Sequence, residues 1–226
     1  FRRKEDFVID HLVAGGLITN YYCTSSCAHC LYGCSPHWEK DYIDRETAKK
    51  NLEKVKSLGC DSIHVGGGES FLNLERLKVV IETARSVGVR IEYVETNSSW
   101  YQDMNSACQV LTSLKEKGLS TLLISMSPFH NEHIPFFKVK RVIEACRSVG
   151  MHVFPWIADF YPEIDALDEK RPHVIGEYED RYGQDYLREI PSRYWVHFCG
   201  RALETFAPVM GTSSCSEILS SNNRGC

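Results

Sequence analysis

The chain has 226 residues, 43% of them hydrophobic and 25% charged, with a formal net charge of −4. This describes a soluble globular chain of one medium domain with enough length to bury a substantial core. It gives no polybasic surface for nucleic acid or anionic lipid and no apolar run near the roughly 20 residues that cross a bilayer, so neither a nucleic acid nor a membrane is an expected partner.

Residues 1–15 read as a lead-in. Phe1-Arg2-Arg3-Lys4 is not followed by the apolar stretch of an export signal. The chain's ten cysteines are therefore expected to serve metal in a reducing cytoplasm rather than to form disulfides. The first apolar strand, Leu17 to Tyr22, runs into Cys23-Thr24-Ser25-Ser26-Cys27-Ala28-His29-Cys30. Three thiols at C-x3-C-x2-C spacing can converge on one metal centre. They are one ligand short of a structural zinc site or a fully cysteine-ligated four-iron cluster. A metal with three protein ligands keeps a position open for chemistry. Cys34 follows as a fourth ligand for zinc, a redox thiol or a bystander.

From there a cadence repeats: a helical pattern, a glycine, an apolar strand. Gly59 precedes Ser62–Val65, Gly88 precedes Arg90–Val94, Gly118 precedes Thr121–Ser125, and Gly150 precedes Met151–Phe154. Each glycine suits the left-handed position that closes a helix. Leu74, Leu77, Ile81 and Ala84 share one helical face, as do Val139, Val142, Ile143 and Cys146, while Asp44 and Asn73 are expected N-caps. Cys108 and Cys146 read as small buried hydrophobes. The acidic, aromatic stretch from Asp159 to Arg193 is expected to hold a helix from about His173 to Ile190, and Tyr194 to Phe198 a sixth strand. A period of about 30 residues per strand and helix implies a parallel sheet. Six units fit an open doubly wound sheet or an incomplete barrel, and both bind ligands at the carboxyl ends of their strands.

Strand 2 ends in Gly66-Gly67-Gly68-Glu69-Ser70, which is neither a Walker loop nor a dinucleotide fingerprint. Strand 3 ends in Glu95-Thr96-Asn97-Ser98. Strand 4 ends in Ser125-Met126-Ser127, where alternation puts both serines on one face. Phe129-His130-Asn131-Glu132-His133 reads as a polar loop or N-cap in preference to a metal site, with substrate binding as a third reading for His130 and Asn131. Trp156 lines the barrel mouth or packs. His64, inside a strand, is expected to be a core histidine. Gly200-Arg201-Ala202 precedes the tail, 206–226; Cys199, just before that segment, and Cys215 and Cys226 in the tail are candidates for an auxiliary metal centre.

The cysteine run resembles the signature of the radical S-adenosylmethionine (radical SAM) enzymes. There three cysteines hold a [4Fe-4S] cluster whose fourth iron is chelated by S-adenosylmethionine, and His29 occupies the position that is usually aromatic or His. The resemblance implies an α/β fold, a partial (β/α)6 TIM-like barrel with parallel strands over residues 16–205. It implies that Cys23, Cys27 and Cys30 bind the cluster and that His29, Gly67, Gly68, Glu69, Asn97, Ser125 and Ser127 bind the cofactor. The Glu69 carboxylate is expected on the methionine ammonium, and Ser70, in place of the family's proline, is expected to loosen the turn slightly. The implied chemistry is an oxygen-sensitive, anaerobic oxidoreductase reaction: reductive cleavage to a 5′-deoxyadenosyl radical that abstracts hydrogen, fed by a reducing partner such as ferredoxin or flavodoxin. The Gly-Arg-Ala segment resembles one in members with SPASM or twitch extensions, which implies a second iron–sulfur cluster and a peptide or protein substrate. The alternatives left open by the residues are a non-catalytic iron–sulfur electron-transfer or redox-sensing protein and a zinc protein.

Overall fold

The computed structural model describes residues 10–194, 196–211, 213–214 and 216–217. Five strands form one sheet: β1 (Gly16–Ile18), β2 (Ser62–Gly66), β3 (Arg90–Thr96), β4 (Thr121–Ile124) and β5 (His152–Pro155). All pairs are parallel and lie in chain order, β1-β2-β3-β4-β5. That order discriminates between the two architectures left open by the repeat. A doubly wound sheet reverses its order midway and carries helices on both faces. Here the order never reverses, and right-handed crossovers keep the helices on one face.

Those helices are α1 (Arg45–Ser57), α2 (Leu74–Val87), α3 (Met104–Lys117), the single turn α4 (Pro128–Asn131) and α5 (Phe136–Ser148). Successive long helices pack side by side, α1 on α2, α2 on α3 and α3 on α5. Asp44 and Asn73 cap α1 and α2 by accepting from the Thr47 and Arg76 N–H groups. The cadence glycines Gly59, Gly88, Gly118 and Gly150 all have positive φ. The core lies between helices and sheet: Ile63, Val65, Val94, Leu122 and Ile124 meet Leu77, Val80, Ile81, Leu111 and Val142. Each such side chain contributes about 1.5–3 kcal/mol.

The chain continues through α6 (Tyr161–Asp165), α7 (Ile175–Tyr182), α8 (Tyr186–Arg193) and α9 (Arg201–Phe206). The helix expected over 173–190 is thus two, divided at Gly183, whose φ is 115°. The sixth strand is a correction: no residue described between Tyr194 and Phe198 is in a strand. Tyr194 instead packs its ring edge-on against Trp156 and Phe160, an aromatic anchorage in place of a backbone ladder. Among the described residues no helix is long and apolar enough to cross a membrane.

Candidate functional site

At the carboxyl edge of the sheet, β1 leads into the cysteine loop. The loop is clasped at its base, where Cys23 N–H donates to the Ser35 carbonyl at 3.1 Å and Ser35 N–H to Tyr21 at 3.4 Å. The glycine turn after β2 supports its entrance. Gly68 N–H donates to the Asn20 carbonyl at 2.7 Å and Glu69 N–H to the Tyr22 carbonyl at 3.1 Å. The approach is so close that a Cβ on Gly68 would lie 2.0 Å from the Tyr22 oxygen. Only glycine fits there, because the obstacle is backbone.

Cys23, Cys27 and Cys30 open onto one cavity of about 310 Å³, together with Gly67, Gly68, Asn97 and Ser125. The volume is in the range of small-molecule sites. Burial pushes the Cys23 thiol up to about 11 and raises Cys27 as well. A hydrogen bond with Cys34 pulls Cys30 down to about 6 and pushes Cys34 up. Coordination deprotonates such thiols outright. Among the described residues no three Cys, His, Asp or Glu side chains are gathered to share a single metal ion. A four-iron cluster makes a different demand, since each thiolate takes its own iron.

The expected cofactor residues divide. Asn97 lies against the thiol loop: its Nδ2 is 3.5 Å from Cys23 Sγ and 3.4 Å from the hydroxyls of Thr24 and Ser25. His29 lines the cavity and is stacked between Phe129 and Trp156, with centroids 4.8 and 5.2 Å away. Burial holds its pKa well below the ordinary range, and Nδ1 has no hydrogen-bond partner. A neutral, buried ring with an unsatisfied nitrogen is a polar group awaiting a ligand. Ser125 lines the cavity and Ser127 does not. Ser127 caps α4, with its hydroxyl 2.8 Å from His130 Nδ1, because the chain turns into a helix one residue after the expected alternation.

Glu69 requires the largest correction. Its carboxylate is fully buried behind the turn and does not line the cavity. Oε1 accepts from Phe71 N–H at 3.1 Å and Thr96 Oγ1 at 2.9 Å, and Oε2 from Asn97 N–H at 2.6 Å. It clips the end of β2 to the end of β3, leaving the backbone of Gly67 and Gly68 to face the cavity. Burial pushes its pKa up to about 7 against those three donors. Ser70 is buried in the turn, with its hydroxyl 3.1 Å from Thr19 Oγ1.

Of the expected substrate residues, His130 and Trp156 line the cavity. Asn131 is buried away from it, accepting from Tyr178 OH at 2.6 Å and donating to the Ile134 carbonyl at 3.1 Å. His64 is not a core residue: it faces the open side of the sheet, opposite Ile63 and Val65, with 30% of its side chain exposed. Cys199 is exposed, with its sulfur free, while Cys215 and Cys226 lie outside the described residues. Two contributors escaped the motif reading. Glu95 also faces the cavity, and alternation from Val94 is its only signal. Arg201 reaches back to the cysteine loop, and nothing local in the sequence announces that contact.

No protein-family model matches the chain. A curated protein of Bacillus subtilis (strain 168), "Putative peptide biosynthesis protein YydG", is 25% identical over 169 residues, 70% of this chain and 48% of that protein. The chain thus spans about half the length of the curated relative it matches. Coproporphyrinogen III oxidase (HemN) from Escherichia coli, described as a radical SAM enzyme, aligns with 80% of this chain and 52% of its own at 14% identity and a TM-score of 0.45. TsrM from Kitasatospora setae, a radical SAM methyltransferase with cobalamin and a [4Fe-4S] cluster bound, aligns with 63% and 30% at 17% identity and a TM-score of 0.43. Streptococcus suis SuiB bound to S-adenosylmethionine aligns with 80% and 49% at 9% identity and a TM-score of 0.40.

The decisive placement is internal to this chain. A cysteine signature alone is eight residues; it gains meaning only if the glycine turn that ends in Glu69, 39 positions after Cys30, meets it in space. The paired bonds from Gly68 and Glu69 to Asn20 and Tyr22 are that meeting. That meeting is the arrangement implied by the resemblance of the cysteine run to the radical S-adenosylmethionine enzymes.

Proposed function

We propose that this chain is the catalytic core of a radical SAM enzyme that modifies a peptide. The observation that carries the proposal is that three thiols and the Gly67-Gly68 backbone open onto one cavity at the strand ends. The donors fit the group: Cys23, Cys27 and Cys30 would hold a [4Fe-4S] cluster, and Gly67, Gly68, Asn97 and Ser125 would bind S-adenosylmethionine beside it. When bound, the pair supplies one-electron cleavage of the sulfonium to a 5′-deoxyadenosyl radical that abstracts hydrogen.

The protein's part is positioning and shielding. Asn97 ties the end of β3 to the thiol loop through its side-chain amide. The stacked rings of Phe129, His29 and Trp156 make an apolar wall that excludes water from one side of the cavity. A neutral His29 offers an uncharged hydrogen-bonding edge there. A reducing partner such as ferredoxin or flavodoxin supplies the electron. Support for a peptide substrate comes from the relative whose name refers to peptide biosynthesis.

Anaerobic reconstitution tests this reading. The expected result is about four iron and four sulfide per chain, a cluster spectrum that changes on adding S-adenosylmethionine, and 5′-deoxyadenosine after reduction. A stoichiometric zinc protein, or a cluster whose spectrum ignores S-adenosylmethionine, would reject it.

A further inference from the structure

The cavity has a second wall, formed by the open face of the sheet. On β3, Ile91 and Val94 are buried in the core, whereas Glu95 lines the cavity. It leans over the end of β2: a Cβ built on Gly66 would lie 2.9 Å from Glu95 Oε2. The side chain is 34% exposed, and the nearest basic group is His64 Nε2 at 3.7 Å, beyond hydrogen-bond distance. Among the described residues no donor bonds either oxygen. His64 supplies little charge, because burial lowers its pKa. Its ring is held in place by stacking on Tyr93 at 5.2 Å, and Tyr93 meets Phe154 edge-on at 5.3 Å.

The contrast with Glu69 is informative. Two glutamates sit at neighbouring strand ends; one has three donors and the other has none. Burial pushes the Glu95 carboxyl up to about 7 with no hydrogen bond opposing it. A partly shielded carboxylate with no protein donor keeps its acceptor capacity for a ligand that enters the cavity. Aromatic rings on the same face suit the methylenes and charge of an organic cation.

We infer that Glu95, beside His64 on the open face of the sheet, anchors a positively charged amino group of the substrate peptide, either a lysine side chain or a free amino terminus. The inference rests on the peptide-modifying reading above and names the substrate class it implies. Glu95 lines the same cavity as the three thiols, so a bound ammonium would hold the peptide within that cavity.

The experiment uses reconstituted enzyme with saturating S-adenosylmethionine and calorimetry with three pentapeptides that differ in one feature. One has a central lysine and blocked ends, one has norleucine and blocked ends, and one has norleucine and a free amino terminus. At least one cationic peptide should bind roughly tenfold or more tightly than the blocked norleucine peptide. Glu95→Gln should abolish the preference while leaving iron content and S-adenosylmethionine affinity unchanged. The comparison among peptides in the unaltered protein needs no variant to fold. Equal binding of all three peptides would overturn the anchor alone. Loss of S-adenosylmethionine affinity in Glu95→Gln would overturn it too, by assigning the carboxylate to the cofactor. Failure of every peptide to bind while S-adenosylmethionine still binds would bring down the peptide reading together with the anchor.

Discussion

Arg201 donates through Nε to the Cys27 carbonyl at 3.0 Å, across 174 positions of sequence. The same guanidinium donates to the Cys34 carbonyl, and the Arg201 N–H donates to Cys30 at 3.1 Å. Thr205, one turn further along α9, donates its hydroxyl to Ala28 at 2.8 Å. Four carbonyls of the thiol loop are therefore bonded to one short helix. The loop has no ladder of its own beyond its clasp, so its shape depends on this distant segment. Burial raises the Cys27 thiol, and the Arg201 charge is among the groups pulling it back.

Arg201→Gln should therefore loosen the loop. Hydrogen bonds from a charged donor contribute about 1.5–3 kcal/mol, and partial exposure here argues for the lower half of that range. Urea unfolding should report a loss of about 2 kcal/mol, and reconstituted protein should retain less iron. Arg201→Lys should recover only part of this, because an ammonium cannot fork between two carbonyls. Unchanged stability and iron content in the glutamine variant would mean that the loop sets its own shape.

Replacing Cys23, Cys27 or Cys30 by alanine should abolish cluster retention and S-adenosylmethionine cleavage. Cys108→Ala should preserve both, since that thiol lies on α3, outside the cavity. Iron analysis and 5′-deoxyadenosine quantification on the four variants would check it. Full cleavage by the Cys27→Ala protein would remove the thiol loop from the mechanism.

Glu69 should matter to folding more than to cofactor affinity. Glu69→Ala would strand two N–H groups and a hydroxyl in a fully buried site and leave a void. Each effect costs a few kcal/mol, so a total of about 4 kcal/mol is expected. Glu69→Gln keeps the shape and one acceptor and should cost about half as much. Chemical denaturation measures both. A glutamine variant of normal stability that binds S-adenosylmethionine poorly would return the carboxylate to the cofactor.

The repeat of helix, glycine and strand is legible in the sequence because helix closure and apolar periodicity are local. So is the end of the sheet that carries the site, because parallel βα units place every strand end together. What is not local is less legible. The direction of Glu69 depends on Thr96 and Asn97, 27 and 28 residues away, which offer donors that a carboxylate cannot ignore. Ser127 follows the alternating pattern until Pro128 starts a helix and converts it into a cap. Alternation does place His64 opposite Ile63 and Val65, but it cannot say that this face is an open cavity wall. The sixth strand fails because an apolar, aromatic segment satisfies both a ladder and an aromatic cluster, and here the cluster around Trp156 and Phe160 takes it.

His130 should give the fold a specific sensitivity to acid. Burial lowers its pKa to about 3, with His133 adding to the shift, against about 6.5 when unfolded. A depressed pKa contributes stability that is present above the unfolded value and lost as pH falls from about 6.5 toward 3. Glu69 and Glu95, raised to about 7, act with the opposite sign and lose their contribution as pH rises toward 7. Comparison with His130→Gln cancels these shared terms. The stability of the unaltered protein relative to the variant should fall between pH 7 and pH 4 in thermal unfolding. A pH-independent difference would mean that the ring is protonated as easily in the fold as in water.

Ser98 combines two unfavourable features that one substitution removes. It follows Asn97 with φ at 67°, a left-handed backbone that costs a serine roughly 1 kcal/mol or more and a glycine almost nothing. It is also fully buried, with a hydroxyl that has no hydrogen-bond partner, a further penalty on the order of 1 kcal/mol. Its N–H is already used, donating to Thr96 Oγ1 at 3.1 Å, and glycine keeps that bond. Against this, glycine adds freedom to the unfolded chain, worth up to about 1 kcal/mol. The balance predicts that Ser98→Gly stabilises the protein by about 1 kcal/mol. Asn97 should keep its contacts to Cys23 and Thr24, so iron content should not change. Denaturant midpoints with an unchanged slope would measure the gain. A loss of stability would show that the serine hydroxyl has a bonding partner in solution and that the turn after β3 is built around it.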